Sequence, residues 1–219
     1  MRERGIPVAE GTVARILHEN GLFSIRSGAK ALYYRNKEHK ENIIKQDFTV
    51  KAPNEVWVSD VTYFRFNNKT YYLCAIIDLY ARKVVAWKTS ERNSTRLTKG
   101  TLKSAIVDRS PSPGLIFHSD NGANFTSYTF TTYLKEHCIT QSFSHAHNPY
   151  DNSICESFFK TLKQEEIYRK DYRSEKDMLR SITKFMEFYN NDRPHSMNGY
   201  RSPNKYEADY YKRKTVQKS

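Results

Sequence analysis

Cysteine is scarce in this chain of 219 residues, and the three that occur, Cys74, Cys138 and Cys155, are far apart. An odd number of cysteines without a Cys-x-x-Cys pair suggests neither a disulfide framework nor a zinc knuckle. Cysteine use of this kind fits a reducing cytoplasm, where disulfide-stabilised folds are rare.

Long apolar runs are lacking as well. The best candidate, Tyr71 to Leu79, is interrupted by Asp78 and falls short of the roughly 20 residues that span a bilayer. The first residues, 1–5, contain no apolar signal region. We therefore expect no membrane partner, and the chain contains no repeat or low-complexity tract.

Positive charge is what the chain has in excess, with a formal net charge of +12 at pH 7. The excess lies on the flanks, because residues 1–52 carry +4, residues 53–159 carry +2 and residues 160–219 carry +6. This distribution favours a protein that binds nucleic acid. The alternatives are a protein that binds a membrane surface and a soluble basic protein with no polyanionic partner.

Three carboxylates occupy unusual positions in the nearly neutral middle. Asp60 lies inside an apolar, β-branched strand pattern, residues 56–64, and Asp120 ends a second such pattern before an Asn121-Gly122 turn. Glu156 opens a helical segment, and 35 residues separate it from Asp120. Each acid alone could be a cap, a turn former or a surface charge. Together they favour a site for hard cations such as Mg²⁺, which prefer oxygen ligands.

The histidines leave two interpretations open. His118 would share a strand face with Asp120, either as a partner outside the metal ligands or as a packed side chain. His145 and His147 lie in a loop before Glu156, where they would contact DNA or simply face solvent. No convincing nucleophilic triad is present, and a two-metal displacement at phosphorus does not need one.

The order of predicted elements indicates a mixed α/β fold. Three strands separated by short turns are followed by helix, strand, helix, strand and helix, which would place the first strand beside the fourth. Asp60 and Asp120 would then be neighbours. The predicted strands are 56–66, 70–79, 82–89, 115–119 and 140–144, and the predicted helices are 12–20, 94–108, 126–137, 152–168 and 174–191.

The predicted helix 152–168 has two distinct sides. At about 100° per residue, Glu156, Lys160 and Lys163 share one face. That face would suit a phosphodiester backbone, although an ordinary Glu–Lys pair on a solvated face gives the same spacing. A separate apolar stripe, formed by Phe158, Phe159 and Leu162, would face the core.

Several long motifs resemble a known family. Residues 57–63 (WVSDVTY), 118–122 (HSDNG) and 148–163 (NPYDNSICESFFKTLK) resemble the DDE integrase core of bacterial insertion-sequence transposases with two overlapping reading frames, specifically the second-frame product. The acid spacing and the lysine seven residues after Glu156 are also similar to retroviral integrases. Residues 188–195 are similar to the family's YN..RPH segment, and the resemblance runs from about 54 to 207.

This resemblance implies an RNase H-like fold, in which helices flank a five-stranded mixed sheet. It implies that Asp60, Asp120 and Glu156 are catalytic residues that hold two Mg²⁺ or Mn²⁺ ions. Residues 145–152 resemble a flexible loop beside the active site. The DNA contacts implied by the family fall on Lys160, Lys163, Asn148, Tyr150 and Asn152.

The resemblance also divides the chain. Residues 1–52 would be a partial helix-turn-helix-like segment and basic linker, 53–170 the catalytic core, and 171–219 a C-terminal helix and basic tail. Relatives carry a longer N-terminal region, of which only the last helix, near 12–20, is recognisable here. We expect this short helical remnant to weaken DNA affinity, because groove docking normally needs a supporting helix.

The function expected from the family is that of a transposase catalytic subunit acting at insertion-sequence ends. Its partners would be the element ends, target DNA and a DNA-binding protein from the upstream frame. The active form would be a dimer or higher multimer in the cytoplasm, associated with the nucleoid. Two alternatives remain open: an N-terminally truncated regulatory or inactive relic that binds DNA, and an RNase H-type nuclease.

Overall fold

The computed structural model describes residues 10–20, 22, 41–44, 49–144 and 152–216. The chain divides into two compact units, Met1–Lys40 and Glu41–Ser219. Within the described part of the first unit, helix α1 spans Glu10–Glu19 and carries an Arg15–Glu19 ion pair of 3.0 Å one turn apart.

The second unit is built on a five-stranded mixed sheet, as far as the described residues show, in the order β3-β2-β1-β4-β5. Strand β1 pairs antiparallel with β2 and parallel with β4, while β2–β3 is antiparallel and β4–β5 parallel. The predicted meander and the adjacency of the first and fourth strands are both present. The strands are β1 Val56–Phe66, β2 Lys69–Asp78, β3 Lys83–Ser90, β4 Ile116–Ser119 and β5 Thr140–Phe143.

The turns of the meander are made by residues in the left-handed region. Asn67 and Asn68 join β1 to β2 with φ of 45° and 59°. Asparagine tolerates this conformation, which matches the twist of a tight hairpin. Arg82 adopts φ 56° just before β3, although a long side chain is unusual there.

The helices of this unit lie mostly where the sequence predicts them. The predicted helix 126–137 is replaced by a short helix α3 and a helix α4 that meet at Ser127, and the predicted helix 152–168 changes to a π-helical turn at Lys163. The bounds are α2 Thr95–Arg109, α3 Ala123–Thr126, α4 Tyr128–Glu136, α5 Ser153–Leu162, the π-helical turn Lys163–Ile167, α6 Glu175–Asn191, a 3₁₀ turn Ser196–Asn198 and α7 Pro203–Val216.

Alternating residues of β1 point into two separate cores. Val58 belongs to a cluster built with α5 and α6, whereas the adjacent Trp57 belongs to a cluster built with α2 and α4. The first cluster includes Leu73, Phe158, Leu162, Ile182 and Tyr189; the second includes Ile76, Leu102, Phe117, Phe130 and Leu134. The sheet is thus covered on both faces, which fixes the register of β1 and the orientation of each of its side chains.

Residues 41–44, which the sequence placed in the linker, lie against the edge of β5. The Phe143 amide donates to the Glu41 carbonyl at 3.0 Å, and the Ile43 amide donates to Ser142 Oγ at 3.0 Å. Ile44 is buried in the first core. The edge of β5 is therefore covered in this unit.

Helix α7 was not predicted from the sequence. The chain after the predicted helix 174–191 was expected to be a basic tail. Glu207 of α7 is buried and accepts hydrogen bonds from Lys83 Nζ at 2.5 Å and from Arg109 Nη1 at 3.2 Å. Arg109 also approaches Asp78 at 3.7 Å. This ionic cluster attaches the helix to β3 and α2, together with aromatic contacts of Tyr206 and Tyr210 with Tyr80. None of the helices in the described parts of the chain is long and apolar enough to cross a membrane.

Candidate active site

Asp60 and Asp120 lie at the same level of two adjacent parallel strands. The β1–β4 ladder ends with Ser59 paired to Ser119; Asp60 is the next residue within β1, and Asp120 is the first residue after β4. Parallel strands lie about 4.8 Å apart, and residues in register point to the same face. The chain therefore places two carboxylates side by side at the end of β4.

Burial dominates the environment of Asp60. The pKa of this carboxyl is raised from 3.8 to about 7, mainly by removal from water and, to a smaller extent, by the negative charges of Asp120 and Glu156. Two hydrogen bonds oppose this rise, one from the Val61 amide at 2.7 Å and one from the Asn152 side chain. Asp60 thus interacts electrostatically with both of the other predicted acids.

Asp120 is held in its own turn. The Gly122 amide donates to Asp120 Oδ1 at 3.1 Å. A Cβ atom on residue 122 would lie 2.9 Å from Oδ1 and 3.2 Å from Oδ2 of this carboxylate. A contact below 3.0 Å forces a shift, so a Cβ atom at position 122 would push the Asp120 carboxylate out of its observed pose.

Glu156 comes from the other side of the site, in the first turn of α5. The helix is anchored by its buried stripe of Cys155, Phe158, Phe159 and Leu162, which leaves Glu156 exposed. An acid in the first helical turn interacts favourably with the helix dipole. The core-facing stripe predicted from the sequence is confirmed, and it positions Glu156 near Asp60.

Asn152 directly precedes α5 and contacts the same carboxylate. Its side chain donates to Asp60, while its Oδ1 is buried without a hydrogen-bond partner among the described residues. An unsatisfied amide oxygen beside the Asp60 carboxylate is the kind of ligand that a hard cation binds. The donor set therefore fits Mg²⁺ or Mn²⁺, although the sequence analysis expected Asn152 to contact DNA.

The acids do not form a closed ligand cluster in this conformation. Among residues 10–20, 22, 41–44, 49–144 and 152–216, no three acidic, histidine or cysteine side chains are grouped tightly enough to hold a metal ion. In this conformation the carboxylates of Asp60 and Asp120 each accept a hydrogen bond from a backbone amide close in sequence, that of Val61 and that of Gly122.

The two predicted DNA-contacting lysines differ in their surroundings. Lys160 is exposed, whereas Lys163 Nζ lies 5.4 Å from the centroid of the Tyr63 ring. Burial lowers the pKa of Lys163, and the contact is a cation–π interaction. The π-helical turn starts at Lys163, and π-helical segments are frequent at functional sites.

The remaining predicted residues fall into two groups. Asn148 and Tyr150, together with His145 and His147, lie outside the described residues. His118 is buried, with Nδ1 2.9 Å from Ser142 Oγ and Nε2 3.4 Å from Ser144 Oγ. Of its two interpretations, His118 is the packed side chain that joins β4 to β5.

Sequence reasoning missed the contributions of Gly122 and Tyr63. Gly122 was interpreted only as part of a turn, although a glycine two residues after a candidate ligand is a signal of close approach. Tyr63 is 61% exposed in a strand whose other aromatic residues are mostly buried. An aromatic side chain at an outward position of the strand pattern was the available signal.

Comparison with known proteins assigns the class to which this chain belongs. Two family descriptions, both named integrase core domain, match residues 50–149 and 137–203. Together they cover most of the second unit. The chain belongs to the integrase core domain family.

Curated relatives narrow this class to the transposases of bacterial insertion sequences. The transposase of insertion sequence element IS904 from Lactococcus lactis subsp. lactis (strain IL1403) is 35% identical over 211 residues, which cover 94% of this chain and 83% of the relative. Transposase InsF of IS3A from Escherichia coli (strain K12) is 33% identical over 212 residues, or 94% and 73% of the two chains. The predicted family is confirmed, and the chain is a member of the insertion-sequence transposases.

Solved structures support the fold. The HTLV-2 integrase catalytic core domain in complex with magnesium superposes with a TM-score of 0.57 at 16% identity, covering 73% of this chain and 99% of that one. A simian T-cell lymphotropic virus intasome chain gives a TM-score of 0.62 at 18% identity, with 71% and 55% covered. The predicted RNase H-like fold is confirmed.

Proposed function

We propose that this chain is the catalytic subunit of its transposase and cleaves and joins DNA strands at the ends of an insertion sequence. Members of its family are transposases, and their integrase core implies a polynucleotidyl transferase that acts in DNA transposition. The finer assignment, that Asp60, Asp120 and Glu156 carry out the chemistry, rests on the placement of Asp60 and Asp120 after the last pair of the β1–β4 ladder.

The acids of the site suit a divalent metal. One of the solved neighbours, an HTLV-2 integrase core, is described in complex with magnesium. In this chain Asp60, Asp120, Glu156 and the Asn152 amide oxygen are the groups that would hold Mg²⁺ or Mn²⁺. A pair of such ions supplies charge stabilisation at phosphorus and a more reactive attacking oxygen at neutral pH.

The chain's own residues orient the DNA and hold charge around the reacting phosphate. The half-buried position of Asp60 keeps its carboxylate poorly solvated, so this group gains more from a cation than a fully exposed acid would. Lys160 and Lys163 follow Glu156 along α5 and its π-helical extension, where they would neutralise phosphates next to the reacting one. Water, and then a 3′-hydroxyl, would be the attacking groups.

The working assembly would contain more than one copy of this chain. HTLV-2 integrase cores have been solved in trimeric and dimeric forms. Joining two element ends to a target requires at least two active sites, so we propose a dimer or larger multimer on DNA. A DNA-binding protein from the upstream frame would add recognition of the ends.

A strand-transfer assay tests this function. Duplex DNA with the terminal repeats of the element is incubated with the protein and Mg²⁺ or Mn²⁺. Wild type joins the ends to a target, and Glu156→Gln reduces the rate by about a thousandfold or more, because it removes several kcal/mol of transition-state stabilisation. Glu187→Gln on the exposed side of α6 is the matched control and leaves the rate unchanged.

The same assay separates the rival functions. An RNase H-type nuclease would cut the RNA strand of an RNA–DNA hybrid and leave the duplex ends intact. A regulatory relic would bind the ends without cutting them at any metal concentration. Strand transfer that persists in Glu156→Gln would overturn the assignment of the catalytic residues.

A further inference from the structure

A cavity of mixed polar and apolar lining lies beside α5, next to Phe158 of the core-facing stripe. It has a volume of about 540 Å³, within the range of about 300–1,000 Å³ that small-molecule sites occupy. Ser153, Ser157 and Thr161 line it from α5, one turn apart. The facing wall contains Arg82, Tyr189, Arg193, His195, Met197 and Tyr200. The cavity thus includes residues of the YN..RPH segment, to which the catalytic chemistry gives no role.

The walls of this cavity are held rigidly. Arg193 donates two hydrogen bonds to Glu165 on the π-helical turn, at 3.1 and 2.8 Å. The His195 ring stands edge-on against Tyr189, with centroids 4.8 Å apart. Asn198 donates to the Ala81 carbonyl at 2.8 Å, which ties the 3₁₀ turn to the turn before β3. A preformed cavity binds a ligand at a smaller entropic cost than a mobile one.

Two polar atoms in this cavity lack partners. Arg82 Nη1 and His195 Nε2 are both buried, and neither has a hydrogen-bond partner among the described residues. Two arginines line the cavity. Arg193 forms an ion pair with Glu165, whereas the Arg82 guanidinium has no ion-pair partner among the described residues. Buried polar atoms are normally satisfied in native proteins, and the guanidinium of Arg82 is cationic, so its unpaired Nη1 indicates an anionic ligand.

The backbone at the cavity is strained in a way that marks function. Arg82 has φ 56° and Tyr200 has φ 60°. Left-handed conformations are rare for long side chains, whereas glycine and asparagine adopt them readily. Both strained residues line the same cavity. Strained backbone conformations of this kind cluster at functional sites, where the side chain has a role that offsets the cost of the strain.

The rim of the cavity adds an aromatic surface. Tyr200 is 77% exposed and Met197 is 71% exposed. An exposed tyrosine beside a guanidinium is the combination by which proteins hold unpaired nucleotides, with the base stacked and the phosphate bound. A cavity this large also exceeds what a lone phosphate would fill.

We infer that this cavity binds one unpaired nucleotide of the DNA strand that crosses α5, with its phosphate on Arg82 and His195 and its base against Tyr200. The inference rests on the proposed action on DNA. Ser157 adjoins Glu156 in the same helix, about 100° around its axis. A strand leaving the carboxylate side of α5 therefore reaches this cavity by passing over one helix.

Binding of a labelled single-stranded oligonucleotide without divalent metal tests the inference. Arg82→Asn removes the guanidinium and relaxes the backbone, so we expect an equal or higher Tm together with about tenfold weaker binding. Tyr200→Asn keeps or raises Tm and weakens single-strand binding more than duplex binding. Arg180→Gln, an exposed site on α6, removes the same charge and changes affinity by less than about twofold.

The possible outcomes separate this site from the catalytic proposal. Arg82→Asn that binds like Arg180→Gln, or that loses Tm without losing affinity, overturns the nucleotide site even if strand transfer is intact. Weaker binding in Arg82→Asn supports the site even if the chain transfers no strands. Inorganic phosphate and unlabelled oligonucleotide are also compared as competitors at equal phosphate concentration. Equal competition by inorganic phosphate would show a site for free phosphate and overturn the inference. A wild-type chain that binds no oligonucleotide also overturns it.

Discussion

The Oδ1 atom of Asp120 lies 2.9 Å from the place where a Cβ atom would stand on Gly122. Glycine at this position therefore determines where a candidate metal ligand can point. The contact joins two residues of one tight turn, so a small change in one displaces the other.

Gly122→Ala is expected to displace the Asp120 carboxylate and reduce strand transfer by about tenfold to a hundredfold, because misplacement of a reacting group by about 1 Å costs that much. The nearest contacts of the added Cβ atom would be with the Asp120 side chain in the same turn, so the free energy of unfolding should fall only slightly. Rates and urea unfolding curves measure the two effects.

Gly100→Ala is the control for that substitution. Gly100 lies inside α2, where a Cβ would meet only Lys88 Cδ at 3.6 Å. Alanine should stabilise the helix by about 0.5–1 kcal/mol and leave the rate unchanged. Equal losses of activity in both variants would show that Gly122 has no special relation to Asp120.

Asp60→Asn is expected to stabilise the fold at high pH. The pKa of Asp60 is raised to about 7 in the folded state from 3.8, so the folded protein binds its proton more tightly than the unfolded chain does. The carboxylate therefore costs nothing below pH 3.8, costs progressively more up to pH 7 and costs a constant amount above it. Asparagine removes this cost, and its benefit should be about 2–3 kcal/mol larger at pH 8 than at pH 5.

Denaturant unfolding of both proteins at the two pH values measures this difference. Mg²⁺ should raise the Tm of wild type at pH 8 by binding the folded state, and should do so much less in Asp60→Asn. A stabilisation that is the same at both pH values would show that the Asp60 carboxyl is not perturbed by burial.

Lys163→Gln is expected to weaken DNA binding evenly across sequences. One phosphate contact fewer should lower the slope of log affinity against log salt by about one. Lys184→Gln, an exposed change on α6, serves as the matched loss of charge. An unchanged slope in Lys163→Gln would remove this lysine from the DNA-binding surface.

Glu207→Gln is expected to destabilise the second unit. Its carboxylate is buried between Lys83 and Arg109, and breaking a buried ion pair leaves charge uncompensated at a cost of about 3 kcal/mol. Asp209→Asn breaks the more exposed pair with Arg201 and should cost less than about 1 kcal/mol. Similar Tm values for the two variants would contradict the role given to Glu207 in attaching α7.

Much of the fold could be predicted because the strands follow simple patterns. The alternation in β1, with Trp57 in one core and Val58 in the other, is the pattern of a strand covered on both faces. The Asn67-Asn68 turn fixed the first hairpin. The order of elements then placed β1 beside β4, which is the step that brings Asp60 to Asp120.

Other features depend on contacts that no local pattern contains. Helix α7 has no continuous apolar stripe, and its attachment through Glu207 and Arg109 is visible only in three dimensions. The π-helical turn at Lys163 has the same local composition as an α-helix. Contacts between Asn152 and Asp60 join distant segments, so the sequence suggested DNA binding for Asn152 but not its position beside the acid.

We propose that Asp60, Asp120 and Glu156 converge on one divalent cation site. Anomalous diffraction from crystals soaked in Mn²⁺ locates the metal without reference to activity. We expect a peak bonded to carboxylate oxygens of Asp60 and Asp120 at about 2.0–2.2 Å, with Glu156 completing the site when DNA is present. A peak elsewhere, or none between these two aspartates at saturating Mn²⁺, would contradict it.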